Sequence, residues 1–554
     1  MKKRNLLIIS IVVAILLVGG VFAAIYLGDK GGNRGEKCVP LTDDIAFYMD
    51  VDKLVTKSAV REVFTRANIS VLANVVAADT DGEVSADYMV SIFENLDNIG
   101  LNSKRPVYGY MNNGKNTQEL TIVAEVCDAT KVDSFIDFVA TATEEDIEIM
   151  RDKDTRIILR DDFSIGYNER RFVIVAQSEG DSFALIEEAL KRPKADLSKF
   201  DKYDIACSVM LDPMVALLRD SMQEQLDAEM KYLQESTDVW EIEWTKEQIA
   251  TTEKSIASLN DIDKHITDGA HILMGLTFEN GRATAEAIID GYETEYKLDK
   301  KVANNHIEHI NADAMAVLNI GMNGKELSKT ISNIITPEYA DMLAINRNEF
   351  NLFVSIACDA IESIDGDVTF VLDDIYGGYY GITGIDAFAA IDVTDNYIIS
   401  NIATYGQGIL RRESKDNYSL KFNGYHFTVG QQENTLYATV NMDYKSNPTP
   451  ASDAAWYKDV NDSYAYMLLN VDSFFNNSLI SAMWRQILND VNDVNAQYIE
   501  DIAKAFSYIY LTINTPNSAQ LVIVFDDKQT NALEQLFKPL AHIVMREVMH
   551  DIIY

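Results

Sequence analysis

The sequence predicts an α+β protein of two similar halves, derived by internal duplication, each an antiparallel sheet with helices on one face, behind an N-terminal transmembrane helix. Three observations carry that expectation. A short apolar strand running into a capped helix occurs four times. Helices and then a strand hairpin follow each copy. The chain opens with a long uncharged apolar run.

The four copies are DDIAFYMDVDKL (43–54), KYDIACSVMLDPMVALL (202–218), NADAMAVLNIGMNGKEL (311–327) and NDSYAYMLLNVDSFF (461–475). Runs such as Ile45 to Met49 are too short for a buried helix and rich in strand formers. Asp52, Asp212 and Asp472 then read as N-caps, because a carboxylate accepts one of the orphan N–H groups of a first helical turn. Pro213 suits a first turn, where its missing donor costs nothing. Next comes a strand (105–112, 271–279, 366–374, 506–514) and a partner strand (119–128, 282–290, 386–395, 519–527). Helices follow the partner strand at 132–142 and 531–540.

The first and third copies carry additional strands, at 155–177 and 418–442, whereas the second and fourth carry long helical insertions. That alternation divides the chain into a first half, 41–300, and a second, 301–554, and self-similarity at this scale precedes any assignment of fold. The insertion at 213–262 places Met214, Leu217, Leu218, Met222, Leu226, Met230 and Leu233 at three- and four-residue spacings, the pattern of a helical hairpin with an acidic outer face.

Residues 1–5 form a basic tip with Lys2, Lys3 and Arg4, and the 23 residues Leu6–Gly28 carry no charge. About 20 apolar residues span a bilayer as a helix, and the basic flank assigns the short side to the cytoplasm. A cleaved signal peptide, with Val21-Phe22-Ala23 as its small-residue site, is the rival reading, and both export the chain. A polar, Gly-rich stalk occupies 29–40. The expected localisation is the cell envelope, single-pass, with the bulk of the chain extracytoplasmic.

With 86 Asp and Glu against 48 Lys and Arg, the net charge is −38, which argues against nucleic acid as a partner. Of the four cysteines (Cys38, Cys127, Cys207, Cys358), Cys127 and Cys207 lie in neighbouring expected strands, so a bridge between them and buried free thiols both stay open.

No catalytic constellation emerges: no nucleophile elbow, phosphate loop or zinc signature is present, and no cofactor or metal site is expected. His306 and His309, spaced i, i+3, fall in a polar connector and read as solvated linker. Residues 77–88 resemble a calcium loop but place Ala77 and Tyr88 where carboxylates are required. The glycine-rich turn at 373–384 presents Tyr376, Tyr379 and Tyr380, amphipathic rings suited to a protein partner or a sugar face.

IAFYMDVDKL, the GDVTFVL strand after an Ile-Asp turn, and LTFENGRATAEAIID with its Tyr/Lys-rich continuation together resemble a family of exported Bacteroidota envelope lipoproteins, classed as a domain of unknown function. The resemblance spans about 40–554 and implies no catalytic residue; Cys38 departs from it, since Gly35-Glu36-Lys37 is not a lipobox. The function expected is a membrane-anchored, extracytoplasmic, non-enzymatic binding or structural protein. The alternative is a hydrolase or glycan-active enzyme with carboxylates in a cleft between the halves.

Overall fold

Strand pairing, read from a computed structural model, builds one antiparallel ladder order in each of two compact units. The structure describes residues 39–40, 43–79, 85–113, 118–143, 147–160, 163–177, 182–292, 299–334, 346–378, 381–488, 500 and 502–553. The expected membrane helix at 6–28, most of the stalk, Cys38, Tyr379 and Tyr380 lie outside them. No helix among the described residues is long and apolar enough to cross a membrane.

Unit 1 takes the described residues within Met1–Asn280, Ala287–Glu293 and Thr530–Tyr554. Its strands are β1 (Ile45–Met49), β2 (Val107–Asn113), β3 (Gln118–Glu125), β4 (Met150–Asp152), β5 (Thr155–Leu159), β6 (Ser164–Tyr167), β7 (Arg171–Gln177), β8 (Ile205–Met210) and β9 (Ile266–Glu279). Strand β10 (Arg282–Tyr292) begins in unit 2 and ends in unit 1. The ladder runs β9-β8-β1-β2-β3-β7-β6-β5-β4. Its helices are α1 (Val51–Ser58), α2 (Val60–Val63), α3 (Arg66–Asp79), α4 (Ala86–Glu94), α5 (Ala129–Thr143), α6 (Ser182–Lys191), α7 (Leu211–Glu235) and α8 (Val239–Asp263).

Unit 2 takes Gly281–Glu286 and the described residues within Thr294–Gln529. Its strands are β11 (Ala316–Asn323), β12 (Ile364–Gly378), β13 (Gly381–Val393), β14 (Arg411–Ser414), β15 (Asn417–Phe422), β16 (Tyr425–Gln432), β17 (Thr435–Val440), β18 (Ala465–Asn470), β19 (Phe506–Thr515) and β20 (Ser518–Phe525). They pair in the order β20-β19-β18-β11-β12-β13-β17-β16-β15-β14. From β19 to β14 this repeats the order of unit 1, strand for strand. The helices are α9 (Gly324–Ile334), α10 (Arg347–Glu362), α11 (Tyr397–Tyr405), α12 (Tyr457–Val460), α13 (Val471–Asn476) and α14 (Ser478–Leu488). The last helix, α15 (Ala532–Ile553), packs in unit 1, where Phe537 meets Phe64 and Lys538 pairs with Glu62.

The strand-to-helix junctions are capped two residues earlier than the sequence suggested. Asp50, not Asp52, accepts the N–H of Lys53 at 3.1 Å and caps α1. Asn470, not Asp472, accepts from Ser473 at 3.2 Å and caps α13. Helix α7 starts at Leu211 behind Met210 with no side-chain cap, so Asp212 and Pro213 both fall inside its first turn. Each helix begins within two residues of the strand's end, leaving each acidic residue among the first-turn N–H groups, where Pro213 removes a donor that has no intrahelical partner. Helices α7 and α8 form an antiparallel hairpin, held by Arg219–Asp263 at 2.7 Å and by the Thr252 hydroxyl on Glu229 at 3.1 Å.

In unit 1 helices cover both faces of the sheet, not one. Val132 and Ile136 of α5 pack with Met89 and Ile92 of α4 and with Ile122, Ile158 and Ile165 on one face. Ile186 and Ala189 of α6 pack with Val123, Val173 and Val175 on the other, with Phe200 and Tyr203. Successive strand residues point to opposite faces, so strands apolar at consecutive positions require cover on both.

Candidate functional site

The β-strand period decides what the second sheet shows to each side. One face carries Val317, Val371, Phe388, Tyr466, Leu468, Tyr510 and Val522, packed under Val302, Ile307, Ile310 and Trp456. Several polar groups within it are bonded to each other. Thr369 donates to Asn319 at 3.1 Å, Asn319 to Asn304 at 3.3 Å and Tyr466 to Asn304 at 3.1 Å. Asp367 accepts the N–H groups of Ala303 and Asn305, each at 2.8 Å, tying the 301–310 segment down.

His306 belongs to this buried face and is 1% exposed, which overturns its reading as solvated linker. Its Nδ1 lies 3.0 Å from the Tyr444 hydroxyl and its Nε2 3.5 Å from Asp392. Burial holds the imidazole below its usual pKa, against the pull of Asp392 and Asp367. His309 instead stacks on Tyr444, and no group of three metal-ligating side chains occurs among the described residues.

The opposite face is apolar from strand to strand. One cross-strand row reads Tyr418, Val429, Ala438, Ala389, Phe370, Leu318, Met467, Leu511 and Leu521. Beside it run Leu420, Phe427, Val440, Ala387, Leu372 and Ala316. Alanines at 316, 387, 389 and 438 make a low floor; Phe370 and Met467 stand on one side, and Leu410, Tyr418, Leu420 and Phe427 on the other. The result is a trough of about 690 Å³ walled by carbon. Phe370 is 47% and Met467 53% exposed, unusual for side chains of that size at the centre of a sheet. Helix α11 closes one flank, with Ile398 and Ile399 against Ile391, Leu436, Tyr418 and Val429.

At the sheet edge Arg412 pairs with Tyr418 and so points to the trough face. Its guanidinium donates to the carbonyls of Ser414 at 2.9 Å and Lys415 at 3.1 Å, which fixes a cation at the rim. Arg411 and Lys421 belong to the same strand pair and Lys415 to the turn that joins it, and Tyr405, Ile409 and Phe422 are more than half exposed.

The tyrosine loop proposed from sequence is a different place. Tyr376 sits in β12 opposite Gly384, 43% exposed, and donates its hydroxyl to Asp386. Burial and that carboxylate raise its pKa. It does not line the trough, and its expected companions Tyr379 and Tyr380 lie outside the described residues. In the calcium-like segment Ser85 caps α4, accepting from Tyr88 at 3.3 Å, while 80–84 lies outside the described residues. Cys127, Cys207 and Cys358 form no disulfide among the described residues, and Cys127 is exposed rather than buried. Sequence reading passed over the trough, although its signal was present in DAFAAIDV and LYATV, where alanine takes alternate positions of strands otherwise built from bulky residues.

Fold and site together define an α+β protein whose second sheet presents a hollow apolar face. Residues 36–533 match the model of the Domain of unknown function (DUF4836) family, and the chain belongs to that family. Neither a curated protein nor a solved structure gave a match.

Proposed function

We propose that this chain is a non-enzymatic, membrane-anchored envelope protein of the lipoprotein-like kind found in Bacteroidota, built by duplication of one module, and that its second unit holds the hydrocarbon chain of an amphiphile. The shared ladder order of the two units supports duplication. The uncharged run Leu6–Gly28 behind Lys2, Lys3 and Arg4 supports the anchor.

The trough carries the binding reading. Its floor is the middle of a sheet whose backbone groups are already paired in the ladder, so a docked extended peptide would find no partners for its own N–H and C=O groups. A helix satisfies its backbone internally, but at roughly 10 Å across it would fill this volume in under two turns. An acyl chain gives up no hydrogen bond on entry, and the volume falls within the roughly 300–1,000 Å³ of small-molecule sites. Arg412 at the rim suits an acidic headgroup.

The test is displacement of a fluorescent fatty acid from the purified full-length chain, with native mass spectrometry for co-purified lipid. Saturable binding that Ala389→Trp weakens by roughly tenfold or more, about 1.4 kcal/mol, is the expected result. Absence of saturable binding, or equal affinity in Ala389→Trp, refutes the reading.

A further inference from the structure

A second concavity lies wholly in unit 1 and differs in chemistry. Arg105 precedes β2, Glu125 closes β3, Arg170 lies in the β6–β7 turn and Arg171 opens β7, and Lys191 ends α6 with Arg192 and Lys194 just after it. These loops meet at one end of the first sheet around a cleft of about 990 Å³. Six cationic side chains line it, in a chain whose net charge is −38.

Its cations are held in place but only partly neutralised. Arg105 at 3.5 Å and Lys194 at 3.1 Å share the single carboxylate of Glu125. Arg171 donates to the carbonyls of Ala189, at 3.2 Å, and Arg192, which orient its guanidinium without cancelling its charge. Arg192 is locked by a two-pronged pair with Asp43, at 3.0 and 2.7 Å, and lies 4.1 Å over the Tyr110 ring. Of the other acidic residues in the lining, Asp196 accepts the Ser198 N–H at 3.0 Å and keeps its charge, Glu169 reaches Arg156 at 3.7 Å, and Asp201 adds a further carboxylate. Lys191 is paired from outside the lining by Glu187 at 2.5 Å. The lining thus sets six cations against the four carboxylates Glu125, Glu169, Asp196 and Asp201, an excess of two positive charges in a cleft of the size of small-molecule sites.

We infer that this cleft binds a phosphate-bearing ligand, either a free phosphate compound or a phosphorylated headgroup. Four of the six cations are arginines, whose planar fork matches phosphate oxygens in pairs, where lysine offers only a point charge. Repulsion from the rest of the acidic chain limits the ligand to a compact anion and excludes a long polyphosphate backbone. The site is independent of the trough, and neither result below depends on acyl binding.

The experiment is titration calorimetry of the full-length chain at low salt with sodium pyrophosphate, with citrate as a carboxylate comparator. A parallel arm sediments the chain with vesicles containing phosphatidylglycerol. Saturable binding is expected in at least one phosphate arm, weakened roughly tenfold or more in the double variant Arg105→Gln, Lys194→Gln and unchanged in Arg411→Gln. Binding in the calorimetric arm identifies a free phosphate compound; binding only to vesicles identifies a headgroup. Glu125→Gln releases two cations and tightens binding several-fold, an outcome that cations serving only as ion-pair partners would not produce. That variant also decides the matter if the double variant fails to fold. Equal affinity for citrate overturns the phosphate assignment. No binding in either phosphate arm, or equal loss in Arg411→Gln, overturns the site.

Discussion

On β3 and β7 of the first unit, the face under α3, α4 and α5 carries Ile122 and Ile174; on β13 and β17 of the second it carries Ala387, Ala389 and Ala438. Both pairs of strands hold the same place in their ladders. In the first unit Ile122 packs against the core that includes Val132 and Ile136, and the Phe47 ring lies over Gly109, where an added Cβ would come within 1.9 Å of it. In the second, alanine leaves a hollow, and Phe370 and Met467 stand beside it half exposed. Strand order is shared; what differs is side-chain volume at a few facing positions and the helical cover, which α4 and α5 give the first face and α11 gives only one flank of the second. A carbon-lined trough of about 690 Å³ is an exposed apolar patch of the kind that interaction surfaces carry.

The largest effect that tests this contrast is on stability. Ile158→Ala, at a position 3% exposed in the first unit, is expected to cost about 2–5 kcal/mol in urea unfolding. Met467→Ala on the open face should stay within about 0.5 kcal/mol. Comparable losses would mean that the second face is closed in solution.

Filling the hollow comes next. Ala438→Phe should reduce fatty-acid binding by roughly tenfold or more, about 1.4 kcal/mol, while leaving the urea midpoint nearly unchanged. Retained binding would break the link between the alanine floor and the ligand.

A smaller contrast is in pH dependence. Burial lowers the folded-state pKa of His306, so its neutral form is favoured by folding. The stability it contributes is present above the unfolded value of about 6.5 and is lost as pH falls below it toward the folded value. His306→Gln should flatten the stability profile below about pH 6.5 by at most one proton, about 1.4 kcal/mol per pH unit. An unchanged profile would show that Asp392 and Asp367 keep the imidazole's proton uptake normal.

The smallest effect concerns the caps. Asp50→Ala and Asn470→Ala should each cost about 1 kcal/mol by thermal or urea unfolding, while Asp52→Ala and Asp472→Ala cost only a few tenths. The reverse order would restore the caps read from sequence.

Much of the fold was legible before any coordinates. The four apolar strands, their hairpins and the extra strands at 155–177 and 418–442 correspond to β1, β8, β11 and β18 and to the ladders around them. Local chemistry is strong there, because β-branched and aromatic runs between turn residues have few alternatives. The cap positions shifted because Asp50 and Asp52 are chemically equivalent in the sequence, and only the point where the strand ends chooses between them. His306 misled for a related reason. KKVANNHIEHINAD is polar by composition, yet Asn304 bonds Asn319 and Tyr466 and the His306 Nδ1 meets the Tyr444 hydroxyl, partners more than a dozen positions away in sequence.

By itself, then, the sequence determined the main strands and helices, the strand-to-helix junctions and the acidic character of the chain, since these follow from residue period, turn chemistry and a sum of charges. Tertiary structure alone decided where the hollows lie. A trough exists because Ala316 of β11, Ala387 and Ala389 of β13 and Ala438 of β17 register on one face of a ladder in which β12 lies between β11 and β13, and a cationic cleft because loops dozens of residues apart meet at one end of a sheet. Concavity belongs to residues that neighbour one another only in space, and cross-strand register sets which ones those are.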